Sequence, residues 1–187
     1  MKKNQTNAIQ LFAILVVCSS ILSACNKKTT TPPNPNENEL ITTCQINFVD
    51  SAGIQASKSF KYRDIDGDGG NNPSQWDTIR LKSNTTYFAE ILLLDESKTP
   101  VDTISQEVAE EGQDHLFCFT TTGVTTQIVR KDQDVNGMGI GLLSSWKNGA
   151  ISNGNVNIVL RHQPGLKTGS CDPGDTDIDL VFRTILE

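Results

Sequence analysis

The chain has little of what most enzymes use. Only two histidines occur in 187 residues, aromatic residues make up 6%, and tryptophan and tyrosine number two each. No G-x-S-x-G elbow, P-loop or HExxH is present, so the familiar hydrolase, nucleotide-hydrolysing and zinc-protease constellations are excluded. Paired carboxylates are frequent, but an acidic chain has them by chance, and the protein is read as a non-enzyme. No Cys-x-x-Cys pair occurs, which excludes a thioredoxin-like dithiol. Basic residues are outnumbered by acidic ones, 16 to 22, for a net charge of −6. That balance argues against nucleic acid or bare anionic lipid as a partner, and it suits cations. No apolar run reaches the roughly 20 residues that a membrane-spanning helix needs.

What is present begins with an address. Lys2 and Lys3 precede an apolar run over 9–17, which is too short to span and typical of a secretory signal. It leads into Leu22, Ser23, Ala24 and Cys25. This tetrapeptide resembles the lipobox of bacterial lipoproteins. The resemblance implies that the signal peptide 1–24 is removed and that Cys25 becomes the first residue and carries the lipid. Asn26, not Asp, follows the cysteine. By analogy with lipoprotein sorting, this points to the outer membrane, on its periplasmic face or the cell surface. Removal of 1–24 takes two lysines and no acids, so the net charge moves from −6 to −8. The stretch 25–39 is rich in Pro, Asn and Thr, with Pro32, Pro33 and Pro35, and reads as an extended tether. The folded domain is expected over 40–187, as a monomer. Cys44, Cys118 and Cys171 then remain in an oxidising compartment, enough for one disulfide and one leftover thiol, with the pairing open.

The domain reads as all-β. Alternation places Cys44, Ile46 and Phe48 on one face of a strand, and Val156, Ile158, Leu160 and His162 on one face of another. In the last strand Ile178, Leu180, Phe182 and Leu186 share a face, with Asp177 and Asp179 opposite. The stretch 86–95 turns apolar on both faces, as a central strand does. His115, Phe117 and Phe119 share a face, and the segment from Gly123 to Lys131 follows as if it were a hairpin partner. Gly/Asn/Asp turns punctuate the whole, so the expectation is an Ig-like antiparallel β-sandwich of about seven to nine strands. One short helix fits 105–112, with Thr103 and Gln106 as a capping box.

Three places offer chemistry. Asp64, Asp66, Asp68 and Gly69 match the first half of a calcium loop, but its twelfth position is Gln75 in place of the bidentate Glu. Asp132, Asp134, Asn136 and Gly137 repeat the half-match, with Leu143 at position twelve. These six oxygen-bearing residues are the candidate calcium ligands; otherwise the loops are glycine-bent turns. The histidines, His115 and His162, sit at two strand ends on apolar faces. If those strands are neighbours, the two imidazoles with Glu111 or Asp114 form an open site for a divalent metal, zinc or copper. The plain alternative is two unrelated histidines, since no HxH or HExxH spacing joins them. Finally, Asp172, Asp175, Asp177 and Asp179 form an acidic cluster that is either solvated or a source of oxygens for a site at the same end. Trp76 and Trp146 are the only indole platforms on which a sugar could stack.

Several stretches from Phe60 onwards carry a resemblance: YRDIDGDGGNNP, TTYFAEILLL, EEGQDHLFCF, DVNGMGIGL, LRHQPGLK and GDTDIDLVF. Through them the chain resembles a family of small uncharacterised lipoproteins of Gram-negative bacteria, often labelled "type 1 periplasmic binding fold". That label denotes two α/β lobes, whereas this sequence has neither the length nor the βα alternation, and the β-sandwich expectation stands. The resemblance implies a setting beside TonB-dependent outer-membrane receptors in metal uptake. It thereby adds weight to His115 and His162, which lie within two of the matching stretches. The functional expectation is a lipid-anchored protein that captures a divalent metal or metal complex for an outer-membrane transporter. The alternative is a structural or interaction module whose Asp/Gly loops are calcium-stabilised or metal-free.

Overall fold

The computed structural model describes residues 40–187 apart from Asp68. The signal segment 1–24, Cys25, the tether 25–39 and Asp68 therefore lie outside the described residues. Ten strands and one helix follow in the order β1 (Thr43–Asp50), β2 (Lys58–Arg63), β3 (Gln75–Trp76), β4 (Ile79–Leu81), β5 (Thr86–Leu94), α1 (Ile104–Glu110), β6 (His115–Thr122), β7 (Thr126–Arg130), β8 (Leu143–Asn148), β9 (Ser152–His162) and β10 (Asp175–Leu186). Two of the strands, β3 and β4, are only two and three residues long. The remaining eight match the expected number.

The strands form two sheets, β3-β2-β1-β5-β8-β7 and β4-β10-β9-β6. Their inner faces close on one core, which makes the fold a β-sandwich. Period-two alternation is the cause. Cys44, Ile46 and Phe48 of β1, Ile91 and Leu93 of β5 and Trp146 of β8 face Phe117 of β6, Leu160 of β9 and Phe182 of β10, all buried. Each large apolar side chain so buried stabilises the fold by about 1.5–3 kcal/mol. Aromatic edges lock the centre: the ring of Phe48 meets those of Trp146 at 5.0 Å and Tyr87 at 6.2 Å, both nearly perpendicular.

The structure departs from the sequence expectations at four points. Strands β6 and β7 are not a hairpin; they belong to different sheets. Gly123 adopts φ +77° and Val124 is buried, so the chain turns a corner through the core edge and changes sheet there. One pair is parallel, β4 with β10, with Ile79 opposite Thr184. Strand β5 is central, between β1 and β8, but buries one face only; Phe88 on the other is 52% exposed. Helix α1 buries Ile104 and Val108, one turn apart, yet Thr103 caps it with no side-chain hydrogen bond, so the capping box does not form. The disulfide joins Cys118 to Cys171, and Cys44 is left free and buried. Burial pushes the Cys44 thiol up to about 12, which leaves it a small core hydrophobe.

Candidate functional site

Three chain segments meet at one end of the four-stranded sheet. Strand β6 begins at His115, β9 ends at His162 and β10 begins at Asp175. The registers put His115 directly opposite His162, and His162 opposite Asp175. Because His115 shares its face with Phe117, and His162 shares its face with Leu160, both imidazoles point inward and are buried. Their rings stack, with centroids 4.8 Å apart and planes 9° from parallel. Residues 47 apart in sequence thus form one pair.

The pair has a defined proton arrangement on one side. Nδ1 of His115 lies 3.2 Å from the carbonyl oxygen of Glu111. A carbonyl only accepts, so Nδ1 carries the hydrogen and Nε2 presents its lone pair. Burial is the main force holding the His115 pKa below the ordinary imidazole value, with the nearby charges of His162 and Lys167 adding to it. The ring is therefore neutral near pH 7.

Nε2 of His115 faces Asp177, whose Oδ2 is 3.9 Å away. Strict alternation in DTDIDLVF would put Asp177 on the outer face with Asp179. The ladder between β9 and β10 slips between Thr176 and Ile178, so Asp177 is the extra residue of a bulge. The bulge turns its side chain inward, to 5% exposure, while Asp179 stays exposed. Oδ1 of Asp177 is buried with no hydrogen-bond partner. Burial pushes this carboxyl up to about 6; neighbouring Asp175 acts in the same sense, and His162 and Arg161 oppose it. A buried carboxylate oxygen without a donor is rare and costly, and it marks a place where something is bound or a proton is held.

The two acids nearest His115 in sequence hold the frame and do not enter it. Glu111 is exposed and contributes only its carbonyl to His115. Asp114 accepts hydrogen bonds from the Gly165 and Gln113 side of the loop, at Oδ1 and Oδ2 respectively, and its backbone oxygen accepts the Gln163 amide at 2.6 Å. Asp177 faces the pair as a third member, while the charge of Asp114 acts on His115 in the sense that favours its protonation. Among the described residues no group of three or more His, Cys, Asp or Glu stands ready to hold an ion as placed.

The loop 163–174 closes this end. Buried Gln163 donates from Nε2 to the carbonyls of Ser170 and Pro173, and the disulfide ties Cys171 back to β6. Gly174 takes φ +126°, and a Cβ there would lie 2.5 Å from the His162 carbonyl oxygen, so only glycine fits beside the site. Lys167 reaches inward, donating at 2.8 Å to Oδ2 of Asp134 and at 2.7 Å to the Gly112 carbonyl, with both charged side chains about 1% exposed.

That ion pair belongs to the second Asp/Gly loop. Asp134 Oδ1 accepts the amides of Asn136 and Met138, and its Oδ2 accepts from the Lys167 ammonium. Burial raises the Asp134 pKa, but the Lys167 hydrogen bond and the two amides outweigh it and hold the carboxyl below its usual range. Asp132 is likewise engaged, accepting the amides of Gly141 at 2.7 Å and Leu143 at 3.0 Å. Asn136 is exposed. In the first loop Asp66 accepts the backbone and side-chain N–H groups of Asn71, at 2.8 and 2.7 Å. Asp64 is buried and accepts from the Tyr62 hydroxyl at 3.3 Å, with its Oδ1 unpaired. Trp146 is fully buried in the core and cannot stack on a sugar, whereas Trp76 is 51% exposed beside Tyr62.

No protein-family model, curated protein or solved structure matches the chain.

Proposed function

We propose that this protein is a lipid-anchored outer-membrane protein that captures a divalent transition metal, zinc or copper, through His115, His162 and Asp177. Cys25 is the anchor, and the partner is an outer-membrane transporter of the TonB-dependent kind. The observation that carries this reading is the unpaired, buried Oδ1 of Asp177 beside two inward-facing imidazoles. Two imidazole nitrogens and one carboxylate form the donor set of an open zinc-type site, in which water or a delivered ligand takes the fourth place. The Glu111 carbonyl on Nδ1 of His115 is the outer contact that typically fixes a ligating imidazole. The rings are stacked and their planes do not converge, so sharing an ion requires one of them to turn about χ2.

Calorimetric titration of zinc and of copper into chelator-treated protein tests the assignment. One ion binds per chain, and the His115→Ala, His162→Ala double variant abolishes binding. Asp177→Asn weakens binding at least tenfold, while Glu111→Gln leaves it unchanged. Equal affinity in the double variant rejects the site.

A further inference from the structure

The two sheets are open on the same side of the sandwich, where β6 and β7 form their edges. Hydrogen bonds at the ends of these strands fix which main-chain groups face outward. The amide of Lys131 donates to the Leu143 carbonyl, and that of Gly149 to the Thr125 carbonyl. Odd-numbered residues of β7 therefore bond to β8, and the N–H and C=O groups of Thr126, Ile128 and Arg130 point away from it. On β6 the Phe117 amide donates to the Ile140 carbonyl, so the main chains of Phe119 and Thr121 also point outward. No partner among the described residues meets these outward groups of β7, Phe119 and Thr121.

A groove of about 700 Å³ lies along this opening, floored by half-buried Phe119 and Ile128 and reaching Arg130, Lys131 and Asp132. The volume falls within the roughly 300–1,000 Å³ of ligand clefts. At that end Arg130 and Lys131 stand against the single carboxylate of Asp132, a local excess of positive charge on a chain of net charge −6.

We infer that this edge docks an extended peptide segment of a partner protein, which adds a strand to β7. The unpaired N–H and C=O groups at alternate residues require an extended main chain. The floor takes apolar side chains at every second position of the peptide, and Arg130 with Lys131 takes an acidic residue at one end. The site is separate from the histidine cluster, so neither proposal depends on the other. A second copy of this chain is the competing occupant.

Selection of random displayed heptapeptides on the full chain, followed by hydrogen exchange with a synthetic selected peptide, tests the inference. Alternating apolar sequences with an acid near one end are expected. Bound peptide should slow exchange of the Thr126, Ile128 and Arg130 amides at least tenfold. Ile128→Pro removes a groove-facing N–H and no bond to β8, so binding should weaken at least tenfold with melting unchanged. Should that variant melt lower, Lys131→Glu serves instead, with affinity for the acidic peptide falling at least fivefold. No enrichment, or selected peptides that protect none of these amides, overturns the inference. So does a concentration-dependent dimer that protects them, which would assign the edge to a second copy.

Discussion

Asp177 and His115 make opposite demands on pH. The folded-state pKa of Asp177 is raised to about 6, above its unfolded value, so the folded state binds the extra proton. Its contribution to stability is therefore favourable below that range and is lost as pH rises through about 6. His115 has a lowered pKa, so the unfolded chain takes up its proton first and stability falls as pH drops below the ordinary imidazole range. Asp177→Asn should thus raise the metal-free melting temperature at pH 7–8, by roughly 2–5 °C. The gain should shrink towards pH 4, where the Asp177 carboxyl is itself protonated and uncharged like the amide. Calorimetric melts across this range check it; a pH-independent gain would mean that the carboxyl is not desolvated. Lys167 gives a second residue-scale outcome. Lys167→Ala leaves Asp134 buried without its cation, and urea unfolding should show a loss of about 3–5 kcal/mol, equal with calcium or with chelator.

At the scale of elements, what holds the site is the loop between β9 and β10. Its two fixed points are Gly174, where a Cβ collides with the His162 carbonyl, and the disulfide to β6. Replacing both Cys118 and Cys171 by Ala opens a 53-residue loop. Denaturant melts should show a loss of about 4 kcal/mol, a figure that follows from loop-closure entropy. Strands β9 and β10, which carry His162 and Asp177, were legible in the sequence, because their apolar residues alternate over long runs. The pairing of β6 with β9 was not, since alternation says which face a residue takes and nothing about its neighbour. The hairpin expected of β6 and β7 failed for that reason: sequence adjacency stood in for pairing, and Gly123 with Val124 turns the chain into the other sheet. Asp177 escaped likewise. Its pattern is regular, and only the slip in the ladder turns it inward. Conversely, Glu111 and Asp114 were favoured because they neighbour His115 in sequence, but their positions at the helix end and the loop aim their side chains elsewhere.

For the whole molecule, four of the six stretches singled out in the sequence converge in space. EEGQDHLFCF, DVNGMGIGL, LRHQPGLK and GDTDIDLVF supply Gly112 and His115, Asp134, His162 and Lys167, and Gly174 and Asp177, respectively. All lie at one end of the sandwich, within the contacts of the histidine pair or of the Lys167 ion pair. Their role is thus at least partly architectural, and a functional site is a sufficient reason for so many polar groups to be buried there. The proposed anchor gives a further outcome: Cys25→Ser should move the protein from the membrane to the soluble fraction on cell fractionation. The central claim is that His115 and His162 share a metal ion with Asp177. X-ray absorption at the zinc edge, on protein loaded with one equivalent of zinc, tests it most directly. The account predicts scattering from two imidazoles at about 2.0–2.1 Å, lost in the double histidine variant. A spectrum with oxygen ligands alone, unchanged in that variant, would contradict it.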